Sequence, residues 1–203
     1  MLLDVSTMND HARRVYDSIL GLQCDADNPT PLVRLNRVIP FKHTQVYAKL
    51  EWFNPFGAVK DRVAANLLAD GEARRSVGPN QKLVEPTSGN TGMALAMLAN
   101  VKGYTLTTPL SSEIPLEKRT MLRFFGADVM ELQDTLCPAP GAPEGAIAKA
   151  MELGDRPDFH MLNQYVNEAN PDAHYKTTGP EIWRQTGGEV THFAAGLGTC
   201  GTV

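Results

Sequence analysis

The chain has 203 residues, enough for one large domain or two small ones, and its 42% hydrophobic and 21% charged residues are ordinary globular usage that argues against bulk disorder. A net charge of -4 argues against a general nucleic-acid binder, whose domain is usually basic. Three widely spaced cysteines (Cys24, Cys137, Cys200) argue against a disulfide framework or cysteine zinc site, and no apolar run approaches the ~18 residues of a membrane span.

Taken in chain order, Met1-Leu2-Leu3-Asp4-Val5 turns polar too soon for a signal peptide, so a reducing cytoplasm is the expected compartment. His11 to Leu22 is predicted helical, with Val15, Ile19 and Leu22 on one stripe, Leu20 widening it, and Asn9 or Asp10 as cap. Asn28-Pro29-Thr30-Pro31 breaks it, because proline restricts both itself and the residue before it. Leu32 to Leu35 and Val46 to Leu50 are short strands. Val59 to Arg75 is a helix whose Val63, Leu67 and Leu68 face a core. Lys82 to Glu85 is a strand and Asn90 to Val101 a helix so poor in polar residues that it should be buried on most sides.

Tyr104 to Thr108 is a strand, Glu113 to Phe125 a helix with Ser111 or Ser112 as cap, and Ala127 to Leu132 a strand. The proline-rich run Cys137 to Pro143 is a loop near a domain boundary. A helix over Glu144 to Leu153, a strand near His160 to Leu162, a helix around Gly179 to Gln185 and a last strand over Thr191 to Ala195 complete the pattern. The alternation predicts a doubly wound α/β fold with a mainly parallel sheet and right-handed crossovers.

Three segments carry candidate chemistry. Lys60 lies in Asn54-Pro55-Phe56-Gly57-Ala58-Val59-Lys60-Asp61-Arg62, just after a turn and at a helix start. Desolvation and the positive end of the helix dipole both disfavour an ammonium there, which suits a nucleophilic amine; the plain alternative is a solvated Lys-Asp-Arg cluster. Thr87-Ser88-Gly89-Asn90-Thr91-Gly92 sits between strand and helix, where free N–H groups, hydroxyls and an amide suit a carboxylate or phosphate; the alternative is a capped helix with small residues for close packing. Gly198-Thr199-Cys200-Gly201-Thr202 repeats that logic after the last predicted strand as a phosphate nest, against an ordinary turn. A lysine that can form a Schiff base, together with two anion loops, describes a pyridoxal-phosphate site. A dinucleotide fingerprint fits worse, because no GxGxxG opens the first strand–helix unit. His160 and His174 lack a second metal ligand at helical or strand spacing, so no metal is expected there. Glu181, Trp183 and Tyr175 read as packing and helix-end residues.

These motifs resemble those of the cysteine synthase and cystathionine beta-synthase family of pyridoxal-phosphate enzymes, which has the tryptophan synthase beta-like fold (fold type II). The likeness begins at Thr30-Pro31-Leu32-Val33-Arg34-Leu35-Asn36 and takes in the lysine motif and Glu85 to Gly92. It continues through Glu117-Lys118-Arg119, Gly126-Ala127, Gln164-Tyr165 and Asn170-Pro171, then His174 to Trp183. The resemblance implies that Lys60 holds pyridoxal 5'-phosphate as an imine and that Asn90 bonds its ring oxygen. Thr87, Ser88, Gly89, Thr91 and Gln164 would clasp the substrate carboxylate, and Gly198, Thr199, Cys200, Gly201 and Thr202 the phosphate. It further implies a homodimer in which residues 1–45 start a large domain, 46–150 form a small substrate-loop domain, and 151–203 are an incomplete large cofactor domain.

Two positions depart from the family pattern. Ala58 replaces the usual serine, and Cys200 stands where a small residue is usual; its neighbours predict a packed loop residue rather than a catalytic thiol. Family members also continue past the point where this sequence stops, so the chain reads as the leading part of a longer protein. The implied reaction is β-replacement on O-acetylserine or O-phosphoserine with sulfide or a thiol, Lys60 serving as the base that removes the α proton. Serine/threonine dehydration, and an inactive truncated relative acting only as a binding fragment, are the competing readings.

Overall fold

Apolar residues at strand ends and along helix faces build a sheet covered on both sides. The computed structural model describes residues 15–37, 39–78, 80–133 and 145–203. Strands β1 (Leu32–Arg34) and β2 (Tyr47–Lys49) pair antiparallel in a two-stranded ribbon. Helix α1 (Lys60–Ala73) follows, then β3 (Lys82–Val84), α2 (Asn90–Lys102), β4 (Leu106–Ser111), α3 (Leu116–Phe124) and β5 (Asp128–Leu132). The chain continues through α4 (Ala146–Gly154), β6 (Phe159–Met161), α5 (Ala169–Lys176) and α6 (Thr178–Gln185). Strands β3 to β6 form one parallel sheet in the order β5-β4-β3-β6.

That order reverses direction once. The chain steps from β3 to β4 to β5, then crosses back to place β6 on the far side of β3. Parallel crossovers share one hand, so a reversal must put the returning helix on the opposite face. The packing agrees. Leu83, Leu106 and Leu110 share a core with Val63, Leu67 and Leu68 of α1, Leu95 and Leu98 of α2 and Leu122 of α3. Val84 turns the other way and packs with Ala150 and Leu153 of α4 and with Phe159. The alternation of Leu83 and Val84 is the two-residue period of a strand buried on both faces. Each fully buried leucine contributes about 1.5–3 kcal/mol, so α1 and α2 are held by packing rather than by their own propensity.

Helix α2 is buried on most sides, as its composition predicts, with Thr91, Gly92, Ala94, Leu95, Ala96, Leu98 and Ala99 inaccessible. It ends at Gly103, whose left-handed backbone (φ 81°) lets its N–H close on Ala99 and Asn100 carbonyls. Helix α1 is anchored from beneath by a buried ionic cluster. Arg62 bonds Glu181 at 2.5 and 2.9 Å and Glu51 at 2.7 and 3.0 Å, and Lys49 meets Glu181 at 2.5 Å. Glu181 lies in the first turn of α6, as a helix-end residue should, and is in addition a fully buried counter-ion.

Several predicted elements differ. Of the helix predicted over His11 to Leu22, residues 11–14 and the caps Asn9 and Asp10 lie outside the described residues. The rest forms only a single 3-10 turn, Ile19–Leu22, capped by Ser18 Oγ at 3.2 Å from Leu20 N. Val15 is 92% exposed and Leu22 is exposed as well; Leu20 alone packs on the main core, too little to offset the cost of helix nucleation. Helix α3 starts at Leu116 behind Pro115, and Ser111 Oγ accepts from Glu113 N instead of capping it. Thr191 to Ala195 forms no strand here: all five residues are exposed and pair with no strand among the described residues. Helix α5 was not predicted; its Pro171 is tolerated because it sits in the first turn. The antiparallel β1–β2 ribbon stands apart from the parallel sheet. The predicted loop Cys137 to Pro143 lies outside the described residues.

Candidate active site

The reversal between β3 and β6 creates the site. In open parallel sheets the crevice beyond the strand C-termini at such a point is where ligands bind, because the two flanking connections diverge there. From β3 the chain enters Glu85 to Asn90, and from β6 it enters Asn163 and Gln164. These two loops meet: Thr91 Oγ1, in the first turn of α2, donates to Gln164 Oε1 at 2.8 Å. Thr87, Thr91 and Gln164 are buried, while Ser88 and Gly89 are partly open and Asn90 is exposed at the helix start. A Cβ on Gly89 would meet nothing within 4 Å, whereas one on Gly92 would press on Thr87 at 2.8 Å and Leu122 at 2.9 Å. The loop is therefore packed at Thr87 and Gly92 and open at Ser88, Gly89 and Asn90.

Lys60 is the first residue of α1, and its loop is built tightly. Asn54 Nδ2 donates to Glu51 O at 2.7 Å, Gly57 N to Asn54 O at 2.9 Å and Phe56 N to Asp61 Oδ2 at 2.6 Å. Asp61 and Arg62 are buried, so the solvated-cluster alternative fails for them. Burial pushes the Asp61 carboxyl up to about 6 despite the N–H groups of Phe56 and Ala58. Burial also lowers the Lys60 amine below the usual lysine range, with neighbouring Cys200 acting the other way. Its Nζ donates to Thr199 Oγ1 at 2.9 Å, which brings the candidate nucleophile to the C-terminal loop 139 positions along the chain.

Asn170 ties the two halves together. Its Nδ2 donates to Gln164 O at 2.8 Å and to Thr199 Oγ1 at 2.9 Å. A continuous path therefore runs Thr91, Gln164, Asn170, Thr199, Lys60. Gly201 is buried against the Asn170 amide, where any Cβ would collide with Oδ1. Thr202 Oγ1 lies 3.3 Å from His174 Nε2, and His174 Nδ1 lies 2.9 Å from Thr178 Oγ1. Burial, then the Lys60 and Arg62 charges, lower His174 to about 4, so its ring is neutral near pH 7. Cys200 departs from expectation: it is exposed, with a left-handed backbone (φ 61°) and its Sγ 3.6 Å from Gly198 O. A side chain turned outward at a left-handed position cannot pack into the loop beneath it.

Sequence reasoning overlooked Asn170, Glu85 and His174 as site residues. Glu85 offered a signal, a carboxylate directly after an apolar strand; Asn170 and His174 depend on contacts with residues distant in sequence. No group of three His, Cys, Asp or Glu side chains among the described residues is placed to hold a metal.

The sequence profile of the family described as "Pyridoxal-phosphate dependent enzyme" matches residues 24–203. The chain belongs to the pyridoxal-phosphate dependent enzyme family. Cysteine synthase B of Escherichia coli (strain K12) is 44% identical over 174 residues, covering 86% of this chain and 56% of that protein. The crystal structure of cysteine synthase from Entamoeba histolytica superposes with a TM-score of 0.82 at 32% identity, over 97% of this chain and 57% of that one. O-ureido-L-serine synthase gives 0.80 at 37% identity, over 93% and 57%. The chain thus spans a little over half the length of these relatives and shares their mixed α/β fold with a parallel sheet.

The residues present fit the family's cofactor. The loop at 198–202 joins small residues, one in a left-handed conformation, to an amine that burial makes easier to deprotonate. A Cβ on Gly198 would meet nothing within 4 Å, so backbone is open to a ligand there.

Proposed function

We propose that the protein performs pyridoxal-phosphate-dependent β-replacement on a serine derivative, O-acetylserine or O-phosphoserine, with sulfide or a thiol, giving cysteine or a thioether. The observation that carries this reading is the half-buried Lys60 amine, held 2.9 Å from Thr199 in the glycine-rich loop and joined through Asn170 to the substrate loops. The names of the relatives, two cysteine synthases and an O-ureido-L-serine synthase, support a serine-derived substrate.

Lys60 would hold the cofactor, Asn90 its ring oxygen, and Gly198, Thr199, Cys200, Gly201 and Thr202 its phosphate. When bound, pyridoxal phosphate supplies an electron sink for negative charge at the substrate α carbon. The rest falls to the chain. Thr87, Ser88, Gly89, Thr91 and Gln164 bind the substrate carboxylate at the sheet's switch point, where hydroxyl, amide and helix N–H groups converge. Lys60 Nζ, freed when the substrate amine takes its place and made easier to deprotonate by burial, accepts the α proton; the substituent on the β carbon then leaves, and the sulfur nucleophile adds at that carbon afterwards. Closure of the 46–150 unit toward the remainder excludes water from the reacting carbon; β6 pairs with β3, so it moves with that unit. A homodimer in the cytoplasm completes the proposal. No described helix is long and apolar enough to cross a membrane.

The test is a spectral titration of the cofactor-loaded protein with O-acetylserine, O-phosphoserine and serine, followed by product analysis with sulfide. Cysteine from one of the first two supports the reading. Pyruvate or 2-ketobutyrate with ammonia makes the protein a dehydratase. A colourless protein that takes up no cofactor makes it a binding fragment.

A further inference from the structure

Where β3 and β6 end, their shared ladder must stop, and the next N–H groups need acceptors. The ladder's last bond is Leu162 N to Val84 O at 3.2 Å. Asn163 then turns into a left-handed conformation (φ 54°), which asparagine adopts more readily than most non-glycine residues. The acceptor comes from Glu85, one residue past β3. Its Oε2 accepts from Asn163 N at 2.7 Å and its Oε1 from Gln164 N at 3.1 Å. Glu85 is 0% exposed, and it takes no part in the proposed chemistry.

We infer that Glu85 is a positioning residue: its carboxylate clamps the Asn163–Gln164 turn from below and so presents the Gln164 amide to Thr91 and to the substrate carboxylate. A carboxylate is suited to this because both its oxygens accept, so each N–H has its own partner. A glutamine there offers one acceptor and would turn its NH2 toward an N–H. The remaining anchors of the turn do not replace the clamp. Asn167 Nδ2 holds Leu162 O at 2.9 Å and Asn170 Nδ2 holds Gln164 O at 2.8 Å, so both grip carbonyls and leave the N–H groups to Glu85. Burial pushes the carboxyl up to about 7, against the N–H groups of Gln164 and Asn163 and the Gln164 side chain. Those N–H groups act against burial to favour the carboxylate form, in which both oxygens accept.

This inference rests on the proposed substrate role of Gln164, so the experiment has one arm that does not depend on it. In Glu85→Gln, hydrogen–deuterium exchange at the amides of Asn163 and Gln164 should quicken about tenfold or more, while α1 and α2 keep their protection, because one buried donor has lost its acceptor. Glu85→Asp keeps both oxygens one methylene short and should show a smaller rise; it serves if the glutamine variant does not fold. Unchanged exchange at both amides in the folded variant overturns the clamp, whatever the substrate. The second arm measures amino-acid binding by cofactor absorbance. Glu85→Gln should weaken it about tenfold with cofactor affinity unchanged, and Glu85→Gln combined with Gln164→Ala should bind no worse than Gln164→Ala alone. Losses that multiply mean that Glu85 does not act through Gln164. If quickened exchange comes with no amino-acid binding even in the parent protein, the clamp stands and the substrate reading fails.

Discussion

Two loops of similar composition are built in opposite ways. Thr87 to Gly92 lies between a paired strand and a buried helix, and its own neighbours shape it: β3 fixes one end, α2 the other, and Gly92 packs on Thr87 and Leu122. Gly198 to Thr202 follows an exposed stretch with no partner strand among the described residues, and distant side chains shape it instead: Lys60 and Asn170 on Thr199, Asn170 against Gly201, His174 on Thr202. Small polar residues make a loop able to hold an anion. Whether local packing or long-range hydrogen bonds give it a shape determines what a mutation there will damage.

The largest effect should come from the residue that joins the second loop to the chemistry. Lys60→Ala should abolish both activity and the cofactor's visible absorbance; a variant that keeps both takes Lys60 out of the mechanism and unlinks the two loops. Next is the acid beneath the first loop. Glu85 has its folded-state pKa raised from 4.5 to about 7, so its contribution to stability is complete below about 4.5 and is lost as pH rises through 7. Against Glu85→Gln, the parent protein should lose about 3 kcal/mol over that window, read as the pH dependence of the difference between their urea unfolding free energies. A flat difference would mean that this carboxyl titrates as it does unfolded.

Matched glycine substitutions test the comparison directly. Gly92→Ala overpacks the first loop and should cost about 1–3 kcal/mol in urea unfolding. Gly201→Ala drives a methyl into the Asn170 amide and should weaken cofactor binding about tenfold while costing the apoprotein less stability than Gly92→Ala, because this loop can give way without disturbing the sheet. Equal stability losses would show that both loops are shaped alike. The smallest effect sharpens the division of labour: Gln164→Ala should weaken amino-acid binding about tenfold with little change in cofactor affinity, and equal losses would contradict its place on the substrate side.

Apart from α5, the helices and the parallel strands of the sheet were legible because their apolar residues repeat at the period of the element they form. The N-terminal helix and the last strand misled for one reason. Val15, Ile19 and Leu22 have the spacing of a helix face, and Thr191 to Ala195 the composition of a strand, but neither pattern carries information about whether a partner surface exists. The lysine and the two loops were legible as chemistry, because a nucleophile and small anion-holding residues declare themselves by type. Asn170 and the buried Glu181 were not, since an amide or a carboxylate looks the same on a surface as in a core.

What the chain's order of residues determined by itself was local: where helices can start, which strands can be buried on both faces, and which side chains are able to form an imine or cradle an anion. Tertiary structure alone decided that Lys60 meets Thr199, that Gln164 faces Thr91, and that Glu85 lies beneath them. Each of those contacts depends on the single reversal of strand order between β3 and β6 or on hydrogen bonds closing across more than seventy residues. No short-range propensity encodes such closures; they form only once the buried sheet has brought the loop ends together.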